Sequence, residues 1–584
     1  MQESDPFWQK PKPFSPTRVQ REQAVQFKID PLVLHLIDLR AVKGEEEIEN
    51  YLQPRLSLLP DPFIMKDMKK AAILVSEAIK TNSEIVIWGD YDVDGITGSC
   101  MLHNFFMQIG VEATVYIPNR FTEGYGLNSK GIEKLRTSVK SIHPLLITVD
   151  CGISNPVEIR RAAELGFRTL ITDHHTPPEK RIEADAILNV KQTGCRFTDK
   201  NLAGVGMAFY LAAGIRSHLN SLGYFTSQRP SPNLKQFLDF VAIGTIADMV
   251  PLNGINRILV KSGFEVLAMP AQKGVSALLQ GSDISSGTIT SDDIAFQIAP
   301  KINAAGRMGK TDTAIELLLC TDEKKAATLS KCLTELNTKR KKLCANIIEI
   351  TSSYVINCLN SGDYCIILSG DYHQGVIGIA ASQISQSCNL PVILLTHDSS
   401  AKGRKVLKGS GRSVPGIDLF GILSQCDRYL LKYGGHPMAA GLSLLEENLE
   451  KFKTHFRQLV KSEMVNKTPC DAFKVDMELP LEKFFEKGIA EQISRMEPYG
   501  VGNKRPVFLD PAASIYDYKL LGSKGDHVKL FFRCMYSNRQ GMGFNLGHKK
   551  DILKEQCIRS VIYSPALNRY KNSISWEVRI LDIF

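Results

Sequence analysis

Three strand-like runs in this chain, IVIWG, LLITV and RTLIT, each stop at an aspartate: Asp90, Asp150 and Asp173. Short buried runs with helical sequence between them point to a parallel, doubly wound sheet. The intervening GSCMLHNFFMQIG sets Met101, Leu102, Phe105, Phe106 and Ile109 at helical spacing, and EATVYIP returns to a strand pattern. Ligands of such sheets gather beyond the carboxyl ends of the strands. Acids that end several strands are therefore expected to meet in one crevice.

The first run opens onto DYDVDG, with Asp90, Asp92 and Asp94 at alternate positions. The spacing matches the start of an EF-hand loop, but that loop needs glutamate at position twelve and a preceding helix. Position twelve is Met101 and the preceding residues form a strand pattern, so a calcium loop is excluded. Alternation of side chains is expected to aim Asp92 and Asp94 the same way, where two like charges call for a cation. His174 and His175 follow Asp173 directly. Asp248 closes the apolar helical stretch FLDFVAIGTIA, where a negative charge opposes the helix dipole. Carboxylates with one or two imidazoles suit manganese or magnesium better than a thiolate zinc site.

With 584 residues, several domains are expected. Residues 1–55 read as a proline-punctuated lead-in and 56–320 as the doubly wound α/β domain. One helix is expected over 321–358, because no proline or glycine interrupts Thr321 to Val355. Its TKRKK run, Thr338 to Lys342, reads as a solvated face that could also touch phosphates. A smaller α/β pattern covers 359–462, and 463–584 suits a small β-barrel, the oligonucleotide-binding barrel being one of several all-β folds it fits. Within the last segment, alternation places at least one of Phe531 and Phe532 in the core.

The 43% hydrophobic and 23% charged residues exclude a disordered or fibrous chain. Thirteen cysteines without a CxxC pair read as reduced thiols in a cytoplasmic protein. No run approaches the roughly 18 apolar residues of a membrane span, so no membrane partner is expected. The excess of Lys and Arg, a net charge of +9, permits a polyanionic partner without demanding one.

DYDVDG, VDCG, TDHH and IADMVPL, in this order, resemble the motifs of the DHH phosphoesterase family. IPNRFTEGYGL, PKINAAGRMG, DYHQGVIGIAAS, GSGRSVPGIDL, GGHPMAAG and EPYGVGNKRPVF extend the resemblance to its bacterial single-strand exonuclease branch, from about residue 60 to near the end. The resemblance implies a DHH domain, a connecting helix, a DHH-associated domain and an oligonucleotide-binding (OB-fold) barrel. It implies two divalent cations, Mn2+ or Mg2+, held by Asp92, Asp94, Asp150, His174 and Asp248, with Asp150 as bridge and Asp90 as a nearby or alternate ligand. Some relatives carry a histidine four positions before the residue matching Asp92; Trp88 stands there in this chain. His175 is implied as the catalytic group facing the substrate, and Arg120, Arg307, Ser410, Arg412 and His436 as substrate-binding residues.

The implied activity is a 5′→3′ exonuclease on single-stranded DNA that releases 5′-mononucleotides in repair and recombination. At family level its partners are single-stranded DNA, a single-stranded-DNA-binding protein and a helicase. A phosphodiesterase for very short or cyclic dinucleotides is disfavoured by the segment after about residue 465, and a non-catalytic scaffold by the retained carboxylates.

Overall fold

The computed structural model describes residues 8–9, 11, 14–121, 123–124, 126–180, 182–282, 284, 289–398, 405–465, 473–486, 488–522, 525–534, 538–555, 558–570 and 573–584. Five parallel strands form the first sheet, in the spatial order Ala113–Tyr116, Ile85–Gly89, Leu145–Val149, Arg168–Thr172, Ala186–Leu188. The order reverses between Ile85–Gly89 and Leu145–Val149, so a crevice opens beyond these two strands. Alternation splits each strand between two apolar layers. Ile85 and Ile87 pack with helices Val93–Gln108 and Gly204–Ser221, while Val86 and Trp88 pack with Ser129–Ser138 and Pro156–Glu164.

The connecting helix runs Glu323–Asn360, two residues later than the sequence pattern gives, because Asp322 caps it by accepting from the Lys325 amide at 2.7 Å. Beyond it lies a mixed sheet in the order Lys432–His436, Ala439–Leu445, Val406–Arg412, Val392–His397, Ile366–Ser369. Leu407, Leu442 and Leu444 fill the core on one face. On the other, Arg412, Ala439 and His436 stand in one register row and Ser410, Gly441 and Gly434 in the next.

The last sheet carries the short Met477–Glu478 at one edge, parallel to Phe508–Leu521, and its five longer strands run Phe508–Leu521, His527–Arg533, Asn538–Gly543, Ser573–Ile583, Ile558–Tyr570, the last of these pairing back onto the first. This closed 1-2-3-5-4 order is that of an OB-fold, among the alternatives the sequence left open. Phe532 is buried inside it, whereas Phe531 lies outside, its ring 6.1 Å from Tyr516 with the Lys529 ammonium over it at 5.6 Å. Helices Arg18–Phe27, Pro31–Asp38 and Glu45–Leu52 share one core with the barrel: Leu34, Ile37 and Tyr51 pack in the same cluster as Phe484, Phe508 and Tyr563. Among the described residues no helix is long and apolar enough to cross a membrane.

Candidate metal centre

The crevice of the first sheet gathers every acid and histidine that the sequence assigned to it. Asp90 follows Ile85–Gly89, and its amide bonds the Val149 carbonyl at 3.3 Å. Asp150 follows Leu145–Val149 in the left-handed region, φ 60°, with its amide on the Thr172 carbonyl at 3.0 Å. Such a backbone is uncommon outside glycine and is held here by the sheet edge. Asp92 caps helix Val93–Gln108, accepting from the Gly95 amide at 3.1 Å. Asp94, in the first turn of that helix, accepts from the amides of Gly204 and Val205 at 2.6 and 2.8 Å, so a second helix N-terminus orients it. Gly204 has to be glycine for this approach: a Cβ there would lie 2.6 Å from the Asp150 Cβ.

Ligand atoms within 4.8 Å of one another form three groups: Asp90, Asp92 and Asp150; Asp94, His174 and Asp248; and Asp150, His174 and His175. Asp92 and Asp94 thus fall into different groups. The expected strand alternation does not apply, because the chain has already turned from strand to helix, one residue capping it and the other entering its first turn. Trp88 takes no part: it is buried in the opposite layer, its ring tilted against Tyr116 with centroids 4.6 Å apart, while the Asp90 carboxylate lies with those of Asp92 and Asp150.

Nearby cations offset the centre's negative charge only in part: His175 and Arg120 act on Asp90, and Lys191 on Asp248. His174 Nε2 lies 3.1 Å from Asp150 Oδ1 and 3.5 Å from Asp248 Oδ2. Despite that proximity the approach to Asp150 is off the bonding direction, and Asp90 Oδ1, Asp150 Oδ1, His174 Nε2 and Asp248 Oδ2 are all buried without a hydrogen-bond partner. Burial first, then mutual repulsion, raises the pKa of Asp90 and Asp150 far above the carboxylate range and pushes Asp94 up to about 7 and Asp248 up to about 9. Burial, then the neighbouring His175, brings His174 down to about 4, leaving it neutral and fit to coordinate. Buried polar atoms without partners are rare and costly; carboxylates and neutral imidazole around a cleft fit divalent cations, which would satisfy them.

Asp173, not assigned a role from sequence, holds His175. It accepts from the His175 amide at 3.1 Å, from His175 Nδ1 at 2.8 Å and from the Ile153 amide at 2.9 Å. Burial pushes the Asp173 carboxyl up, but these bonds and the His175 charge outweigh it and its pKa is lowered. The same bond raises the pKa of His175, which is half-exposed. The TDHH spacing carried the signal: a side chain two residues before a histidine can bond both its amide and its ring.

The arginines also converge. Arg120 lies over the Tyr91 ring at 5.1 Å, beside the metal-binding run. Arg307 is pushed down to about 10 by burial and then by the charges of Arg120, Arg340 and Arg412. Arg412 donates to Ser410 Oγ at 2.9 Å. Arg340, from the TKRKK run, lines with Arg307, Met249, Phe296 and Val501 a cavity of about 430 Å3. His436 belongs to none of the metal groups; it is exposed and two strands from Arg412 on the same sheet face, roughly 10 Å away by strand spacing.

Family models for the DHH family N-terminal domain, the DHHA1 domain and the RecJ OB domain match residues 84–245, 355–462 and 475–582. The chain is 32% identical over 557 residues to the single-stranded-DNA-specific exonuclease RecJ of Bacillus subtilis, covering 95% of this chain and 68% of that one. It is 35% identical over 510 residues to the enzyme of the same name from Haemophilus influenzae, covering 86% of each. The crystal structure of RecJ from Thermus thermophilus in complex with Mn2+ superposes with a TM-score of 0.77 at 28% identity, covering 99% of this chain and 79% of the other. Its Mg2+ complex gives 0.71 at 27% identity, covering 99% and 78%.

Proposed function

Because this chain belongs to the RecJ family of DHH phosphoesterases and is a metal-dependent, single-stranded-DNA-specific exonuclease, we propose that it works from the 5′ end and releases 5′-mononucleotides in DNA repair and recombination. The observation that carries this reading is the set of four buried, unpartnered ligand atoms on Asp90, Asp150, His174 and Asp248. Two divalent cations, Mn2+ or Mg2+, supply when bound the activation of water and the neutralisation of charge that phosphodiester hydrolysis needs. We assign Asp92, Asp90 and Asp150 to one cation and Asp94, His174 and Asp248 to the other; Asp150, whose Oδ1 lies 3.1 Å from His174 Nε2, would be shared.

The remaining work falls to side chains. His175, with Nδ1 tied to Asp173, keeps Nε2 for the substrate, and its raised pKa favours the protonated ring that donates to a phosphate oxygen as charge builds there. Arg120, Arg307, Arg412 and Ser410 form the pocket for the terminal 5′-phosphate, since guanidinium forks match a phosphate and a half-buried cationic cluster needs an anion. The strand then follows the cavity past Arg340 and Phe296, with His436 and the glycine-bearing sheet face alongside and Phe531, Tyr516 and Lys529 of the barrel as a stacking surface. A single-stranded-DNA-binding protein and a helicase in a bacterial cytoplasm would supply and expose the substrate.

The test is digestion of 5′-phosphorylated single-stranded DNA with Mn2+ or Mg2+, against chelator and against a duplex. Mononucleotide release that survives the chelator would end the proposal. Arg412→Lys, which keeps the charge but loses the fork, is expected to raise KM for a 5′-phosphorylated oligonucleotide about tenfold while leaving that for a 5′-hydroxyl oligonucleotide unchanged. Steady-state kinetics on the two substrates reads the difference.

A further inference from the structure

The EPYGVGNKRPVF run belongs to none of the metal groups, and its Val501 lines the same cavity as Arg307 and Arg340, yet it also grips the segment that carries Asp248. Asp248 ends helix Leu238–Ala247; Met249 then turns through the left-handed region, φ 60°, and a short link leads into helix Gly254–Ala268. The Leu252 amide in that link donates to the Val501 carbonyl at 2.7 Å. Val501 sits in a tight turn closed by mutual Gly500 and Asn503 backbone bonds of 2.9 and 3.2 Å. The fit leaves no slack. A Cβ on Gly502, whose φ is +75°, would come 3.1 Å from the Pro251 Cβ, and one on Gly500 would come 2.8 Å from Leu252 Cδ1.

The far side of the turn is anchored to the barrel layer. Asn503, buried, donates to the Met496 and Pro498 carbonyls at 2.8 and 2.7 Å and accepts from the Tyr51 hydroxyl at 2.8 Å. Arg257 binds the carbonyls of Tyr51 and Met496 at 2.9 and 3.0 Å and lies over the Tyr51 ring. One unbroken series of short contacts thus joins the N-terminal helices, the barrel linker and the backbone four residues past Asp248.

We propose that the Gly500–Asn503 turn is a positioning element of the metal centre: docking of the barrel onto the DHH domain, through the Val501 carbonyl, fixes Asp248 for its cation. The inference rests on the assignment of Asp248 as a ligand. Discrete packed contacts of this kind hold a ligand more firmly than the flexible link alone would, and outer-sphere supports are worth about 10–100-fold in metal affinity.

The full chain is tested by titrating Mn2+ calorimetrically into metal-free wild type, Gly502→Ala and Asp248→Asn, with hydrogen exchange of the Leu252 amide read in the metal-free proteins. Gly502→Ala is expected to exchange Leu252 faster, to bind one Mn2+ about tenfold more weakly, and to hydrolyse a 5′-phosphorylated dinucleotide with lower kcat at unchanged KM, the loss recovering at high Mn2+. A folded Gly502→Ala with wild-type Mn2+ affinity overturns the proposal, provided Asp248→Asn weakens one ion. Wild-type affinity in Asp248→Asn instead overturns the ligand assignment beneath it. Should Gly502→Ala not fold, Tyr51→Phe removes the hydroxyl's bonds to Asn503 and to the Met496 carbonyl and is expected to weaken the same ion; unchanged Mn2+ affinity there overturns the proposal equally.

Discussion

Asp150→Ala is expected to lower kcat on 5′-phosphorylated single-stranded DNA by about 10^3-fold or more, while the protein stays folded. Asp150 groups with Asp90 and Asp92, and its Oδ1 also lies 3.1 Å from Nε2 of His174, a member of the set assigned to the other cation. Its removal therefore disturbs both cations, whereas Asp92→Ala removes a member of a single group. Electrostatic stabilisation of a transferring phosphoryl centre by a bound cation is worth several kcal/mol, and about 4 kcal/mol corresponds to about 10^3 in rate. Single-turnover digestion at saturating Mn2+ measures the loss free of product release. Activity within about tenfold of wild type would mean that Asp150 is not shared.

The same carboxylate should act in the opposite sense on stability when metal is withheld. In chelator, the folded protein is expected to melt at progressively lower temperature as pH rises from about 6.5 to about 9. Asp94, at about 7, and Asp248, at about 9, with Asp90 and Asp150 also raised, keep protons in the folded state that the unfolded chain has already released. Stability falls with pH wherever the folded state binds more protons. Below 6.5 the sign is mixed, because neutral His174, at about 4, binds fewer protons folded than unfolded and adds stability as pH rises to 6.5. Asp239 in the core, at about 7, adds to the fall, whereas Lys261, pushed down to about 8, binds fewer protons folded than unfolded and opposes it above that pH; neither belongs to the metal groups. The difference between melting curves in chelator and in saturating Mg2+ isolates the centre. It should widen with pH, and Asp150→Asn in chelator should melt above wild type. A difference that stays constant across the range would show that these acids do not meet as described.

The metal centre was legible because its residues end strands, and a strand end fixes a side chain's location from local sequence alone. Asp90, Asp150, His174 and His175 could be placed from apolar runs, and Asp248 from the helix it closes. Which carboxylates would share an ion was not legible: it depends on whether Asp92 and Asp94 continue a strand or begin a helix, and Gly95 and Gly204, through their amides, decide that. Trp88 could be read as a missing ligand only until its layer was known. The long helix was readable from the absence of breakers, and Arg340 within it was not separable from its exposed lysine neighbours until Arg307 and the cavity were seen beside it. Packing of helices 18–52 against the barrel left no periodic trace, since each helix shows only that it has an apolar face and not what covers it.

That shared core sets the order of assembly. Leu34, Ile37 and Tyr51 leave the ribosome long before Phe484, Phe508 and Tyr563, against which they close. Contacts so distant in sequence pay their loop-closure entropy late, and this slows folding. Until those later residues emerge, the nascent chain carries three helices with uncovered apolar faces. The growing chain therefore passes through a window in which chaperone capture competes with aggregation, and truncation before the barrel should release those faces permanently.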